Sequence, residues 1–152
     1  MISDKSADET ERNPHVTVQA GAPSAASVRD IVSITLPAQS AYLSVLRTAT
    51  AGLAARLDFT IDEIEDLRIA VDEACAMLLA QAIPGADLTA EFSIEPGALS
   101  ASVSALTSDG REPSRDTFAW TVLTALAGHV ETASDVDKRV SITLTKHRDE
   151  AG

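Results

Sequence analysis

Apolar and polar positions change period several times along this chain, and each change marks an element. Val32, Ile34 and Leu36 alternate with Ser33 and Thr35, the period of a half-buried strand, and Pro37 ends it because proline cannot donate to a ladder. From Ala38 to Leu57 the spacing lengthens to Tyr42, Leu46, Ala49, Leu53 and Leu57, which predicts an amphipathic helix. Thr60 followed by Glu63 has the form of a capping box, so a second helix starts at Ile61 and runs to about Ala82, where Ile83-Pro84-Gly85 stops it. Leu88, Ala90, Phe92 and Ile94 alternate, Glu95-Pro96-Gly97 turns the chain, and Leu99, Ala101, Val103 and Ala105 alternate again, the pattern of a hairpin. The polar stretch 107–116 predicts an exposed loop, and a third helix follows from about Thr117 to Ala127, closed by Gly128. A short strand near Val130, a turn over Ser134-Asp135-Val136-Asp137 and a last strand through Val140, Ile142 and Leu144 complete the pattern. The order β-α-α-β-β-α-β-β, with no internal repeat, predicts an α/β (α+β) two-layer sandwich: an antiparallel-rich mixed sheet with its helices on one face.

The second helix is the most informative element. Ile64, Leu67, Val71, Ala74 and Leu78 form one apolar stripe, while Ile69, Ala70, Ala76, Met77 and Ala80 form another, so the helix is expected to be covered on two sides. Glu73 falls on the second strip, because residues three and four apart share a face. A carboxylate there looks toward a cleft or an interface. Cys75 reads as a small core residue, since no neighbouring basic group would activate its thiol.

Composition bounds the class. With 152 residues, 45% of them apolar and only three Phe, one Trp and one Tyr, the chain predicts one domain whose core rests on Ala, Val, Leu and Ile. Residues 1–27, rich in Ser, Ala, Asp, Glu and Pro, read as a mobile N-terminal tail, with a folded domain over 28–148 and a short tail at 149–152. No apolar run has the length of a membrane span, no signal-peptide pattern opens the sequence, and a single cysteine fits a reducing compartment, so a cytoplasmic protein is expected. A formal charge of −11 without any Lys/Arg cluster argues against direct binding to nucleic acid and favours a basic partner. His15, His129 and His147 lie apart from other ligand-type residues, and no metal site is expected from them.

Three segments, Val45-Leu46-Arg47-Thr48-Ala49, Leu67-Arg68-Ile69-Ala70-Val71-Asp72-Glu73-Ala74-Cys75 and Val122-Leu123-Thr124-Ala125-Leu126 leading into Val130, resemble anti-sigma factors of the RsbW and SpoIIAB type, small members of the histidine-kinase-like ATPase superfamily. The likeness covers residues 31 to about 147. Phe118 to Leu126 and Ile142-Thr143-Leu144-Thr145 are especially similar to the UsfX branch.

The resemblance implies a nucleotide site and shows where this chain departs from it. Glu73 falls on the family's general base. Met77 falls on the asparagine that ligates magnesium, and a thioether is a poor ligand for a hard cation. Ala105 stands where the family has the aspartate that reads adenine, Thr107 where it has the first glycine of that motif, and Phe118-Ala119-Trp120 where it has the phosphate glycines. The implied binding of ATP and magnesium is therefore weak or absent, and Glu73 is a vestigial base. Arg47 matches a basic residue on the family's docking face, suited to an acidic segment of a partner. The resemblance implies an anti-sigma factor that sequesters an alternative sigma factor. Release would come by partner switching with an anti-anti-sigma protein of the STAS type. It also implies a homodimer, and its alternative is an ATP-dependent serine/threonine kinase acting on the anti-anti-sigma protein.

Overall fold

The computed structural model describes residues 14–20 and 29–149. Its elements are β1 (His15–Ala20), β2 (Asp30–Pro37), a 3-10 turn (Ser40–Tyr42), α1 (Leu43–Arg56), α2 (Ile61–Leu79), β3 (Asp87–Glu95), β4 (Ala98–Leu106), α3 (Phe118–Ala127), β5 (His129–Ser134) and β6 (Arg139–His147). The strands form a single sheet in the order β1-β2-β3-β4-β6-β5, and every pairing is antiparallel. From β2 onward this is the predicted order of elements.

Strand alternation builds the two layers. Ile34, Leu36, Leu88, Ala90, Phe92, Leu99, Ala101, Val103, Ala105, Val140, Ile142 and Leu144 all point to one face and are buried there. On that face α2 crosses β4 and β6, α3 crosses β6, and α1 packs on α2. Burying a side chain such as Phe92 or Leu144 contributes about 1.5–3 kcal/mol, which makes this one-sided core the main source of stability. The opposite face carries hydroxyls, and Ser100 with Thr145 at 2.8 Å and Ser102 with Thr143 at 2.9 Å bond across the β4–β6 ladder. Between β3 and β4, Pro96 and Gly97 make a two-residue turn in which Gly97 adopts a φ of 75° that a side chain would strain.

Three expectations are corrected. The tail reading fails at His15–Ala20, which forms β1 and pairs antiparallel with β2, Val16 opposite Ile34. Its polar composition hides a period-two pattern, and the open edge of β2 supplies the hydrogen bonds that hold it. Residues 1–13, 21–28 and 150–152 lie outside the described residues. Secondly, the first helix begins with a 3-10 turn and buries Leu43, Leu46, Thr50 and Ala54 most deeply. Thr50 is tolerated there because its hydroxyl donates to the Leu46 carbonyl at 2.7 Å.

Thirdly, α2 ends at Leu79, and its second apolar strip is covered only in part. Ala70 is buried and Met77 half-buried, whereas Ile69, 46% exposed, and Ala76 and Ala80 face outward. Phe118, the first residue of α3, takes no part in the apolar face of that helix. It is 82% exposed, while Trp120, Leu123 and Ala127 are buried.

Candidate functional site

The N-terminus of α2 is fixed by the predicted capping box. Thr60 Oγ1 accepts from the Glu63 amide at 3.1 Å, and Glu63 Oε1 accepts from the Thr60 amide at 2.7 Å. Glu63 Oε2 also accepts from the Asp149 amide at 2.7 Å, so one buried carboxylate ties the helix start to the end of the sheet layer. These backbone donors hold its carboxyl below the usual range.

Three turns on, Glu73 is half-buried and has no hydrogen-bond or ion-pair partner among the described residues. No basic side chain pairs with it among the described residues. The neighbouring acid is the paired one: Asp72 Oδ1 accepts from Arg47 Nη1 of α1 at 3.0 Å. Met77 lies one turn beyond Glu73 and packs its thioether against the core. Cys75, between them, is buried, and desolvation, helped by the charge of Asp72, pushes its thiol up to about 12. It is an inert core residue.

Ala105 closes the inward row of β4, opposite Leu88 and Val140, and offers no polar atom. Thr107 is a buried staple. Its hydroxyl donates to the Lys138 carbonyl at 2.8 Å and accepts from the Gly110 amide at 2.8 Å. The loop that follows is tethered to the β5–β6 hairpin: Ser134 Oγ donates to the Gly110 carbonyl at 2.6 Å, and Thr132 Oγ1 bonds to Glu112. Arg115 joins this group through Thr132 and lies 5.0 Å from the centre of the Trp120 ring. Thr117 Oγ1 caps α3 by accepting from the Trp120 amide at 3.1 Å. At the exit of α2 the Gln81 carbonyl accepts from the Ser108 amide, and the Gln81 side-chain oxygen is buried without a donor among the described residues.

A separate groove of about 440 Å³ runs between α1 and α2, lined by Ser44, Arg47, Thr48, Ala51, Ile61, Ile64, Glu65 and Arg68. Ile61 stands 80% exposed on it. Both arginines are held by acids of α2, Arg47 by Asp72 and Arg68 by Glu65.

The site residues expected from sequence lie on three elements, and the exits of α2 and β4 are paired, Ala82 opposite Thr107. Glu73 and Met77 share α2, Ala105 and Thr107 sit at the end of β4, and Arg47 belongs to the α1–α2 groove beside Asp72. At these positions Met77 offers sulfur, Ala105 offers no acceptor, and the Thr107 hydroxyl is committed twice within the chain. Sequence reasoning missed Asp72 as the partner of Arg47, Gln81 as a bare acceptor and Lys138 as the anchor of Thr107. The first and last arise from pairings 25 and 31 residues apart that no local pattern signals. Among the described residues no group of His, Cys, Asp or Glu could hold a metal ion, and no helix is long and apolar enough to cross a membrane.

Three helices on one face of an antiparallel sheet, with an acid-bearing central helix, define a small domain of the histidine-kinase-like ATPase fold. The crystal structure of the RsbU and RsbW domains of a Mycobacterium tuberculosis protein has this fold, with a TM-score of 0.59 at 16% identity over 80% of this chain and 33% of that one. In sequence, the chain is 35% identical to the anti-sigma-F factor RsbW of Mycobacterium tuberculosis over 127 residues, 77% of this chain and 73% of the relative. It is 48% identical to the serine-protein kinase RsbW of Bacillus subtilis over 46 residues, which span 30% of this chain and 29% of that protein. No family model matches the chain. The chain belongs to the RsbW family.

Proposed function

We propose that this chain is an anti-sigma factor that binds and sequesters an alternative sigma factor in the cytoplasm, and that an anti-anti-sigma protein of the STAS type releases it by competing for the same surface. The observation that carries this reading is the alignment with the mycobacterial anti-sigma-F factor over most of both chains. The α1–α2 groove supports it, because Arg47, Arg68 and the bare Ile61 combine charge with uncovered apolar surface, the usual make-up of a contact hot spot. The nucleotide site has degenerated at Met77, Ala105 and Thr107, and the protein acts as a homodimer. The test is retention of each purified alternative sigma factor of its own cell by the purified chain, with and without the STAS protein. Retention of one, lost with Arg47→Glu and on adding the STAS protein, is the expected result; retention of none overturns the reading.

A second reading, an ATP-dependent serine/threonine kinase acting on the STAS protein, has one observation behind it: Glu73, at the general-base position, has no partner among the described residues. ATP with magnesium that raises the melting temperature favours this reading, because a ligand selective for the folded state stabilises it. Transfer of labelled phosphate that Glu73→Gln abolishes would establish it.

A further inference from the structure

Arg47 is not free in the unbound protein. Its Nη1 donates to Asp72 Oδ1 at 3.0 Å, and its other guanidinium nitrogens have no partner among the described residues. Arg47 and Asp72 are 40% and 38% exposed, so water reaches both. Arg68, across the same groove, is likewise held by Glu65. Each cation of the groove already carries a carboxylate of α2, so the groove presents no uncompensated positive charge, in keeping with a chain of net charge −11. An acidic group arriving at Arg47 meets a guanidinium whose first arm is taken by a carboxylate of the chain itself.

We propose that Asp72 is a built-in competitor that stands in for the partner's carboxylate and must give way when an acidic partner residue takes both arms of Arg47. This inference rests on the anti-sigma reading and adds its regulation: Asp72 sets how tightly the groove holds a partner. The geometry suits a replaceable contact. A single bond between partly exposed groups is weak, whereas a two-armed arginine–carboxylate pair is stronger and directional. Asp72 touches the arginine and not the partner, so it is a positioning residue.

The test is a double-mutant cycle on the sigma factor that the wild-type chain retains, read as the dissociation constant at about 0.15 M salt. Asp72→Asn is expected to tighten binding about two- to fivefold, the range of an exposed ion pair. In an Arg47→Ala background the same change is expected to do nothing. Glu91→Gln, on the hydroxyl face of the sheet, removes one negative charge far from the groove and is expected to leave affinity unchanged, which separates local competition from net charge. Weaker or unchanged binding by Asp72→Asn, while Arg47→Ala still weakens it, overturns the inference and leaves the anti-sigma reading standing. Tightening by Asp72→Asn that persists without Arg47 also overturns it. Retention of no sigma factor by the wild type overturns the reading and this inference with it. All substitutions lie at exposed or half-exposed positions, and melting curves check that each variant folds.

Discussion

Replacing Glu63 by Gln tests how much one buried carboxylate contributes to the layer of helices. The native carboxylate is 5% exposed and accepts two backbone amides, from Thr60 and Asp149, each at 2.7 Å. A glutamine keeps one acceptor oxygen, so it retains one of these bonds in neutral form and loses the other. Hydrogen bonds to charged groups contribute about 1.5–3 kcal/mol and an N-cap about 1 kcal/mol. Since Asp149 lies near the chain end, its amide can turn to water, and the lower part of the range applies, a loss of about 1.5–2 kcal/mol. For a chain of 152 residues that corresponds to a fall in Tm of about 3–8 °C at pH 7. The pH dependence has a definite sign. Because the folded carboxyl titrates below its usual 4.5, its stabilisation is fully present above that value and disappears as pH falls through the folded pKa. Glutamine does not titrate, so the gap between wild type and variant should be widest near neutrality and close in acid. Thermal unfolding of both proteins from pH 7 to pH 3 measures this, and the difference cancels the acid response of every other carboxylate. A gap that stays constant down to pH 3, or no gap at pH 7, would refute the reasoning.

Other outcomes follow from single contacts. Thr107→Val, which leaves the Gly110 amide without its partner while the Lys138 carbonyl keeps its bond from the backbone amide of residue 107, should cost about 1–2 kcal/mol in urea unfolding, with Thr107→Ser restoring most of it. Gly52 lies within α1 with nothing within 4 Å of where a Cβ would sit, so Gly52→Ala should stabilise by about 0.5–1 kcal/mol in the same assay. The Cys75 thiol, pushed up to about 12, is about one part in ten thousand thiolate at pH 8, so a thiol reagent should label it only after unfolding. Labelling of the native protein at the rate of the unfolded chain would place Cys75 at the surface.

What could be read from sequence was what is decided locally. Thr60 and Glu63 announce a capping box within four residues, and Pro96-Gly97 announces the hairpin, because the groups that satisfy each other are neighbours in the chain. The alternation in β2, β3, β4 and β6 identified the core face for the same reason. β1 was illegible because its pattern is short and embedded in polar sequence, and its stability comes from an edge that exists only once β2 is in the sheet. The apolar character of Phe118 gave no hint of its direction, since the first residue of a helix can project past the layer beneath it. At the candidate site, the residue types at 73, 77, 105 and 107 are read directly from the sequence, whereas their contacts are not. The Arg47–Asp72 bond, the second partner of Glu63 and the bare oxygen of Gln81 are products of tertiary packing.

The tethered loop gives the protein a native optical reporter. Trp120 is its one tryptophan, and Arg115, which stacks on the indole, also bonds to Thr132 of the β5–β6 hairpin, as does Glu112. Whatever pulls the loop from the hairpin also withdraws the cation from the ring and lets solvent reach it. Emission should then shift to the red without any added label, and the onset of loop opening can be timed separately from unfolding of the sheet.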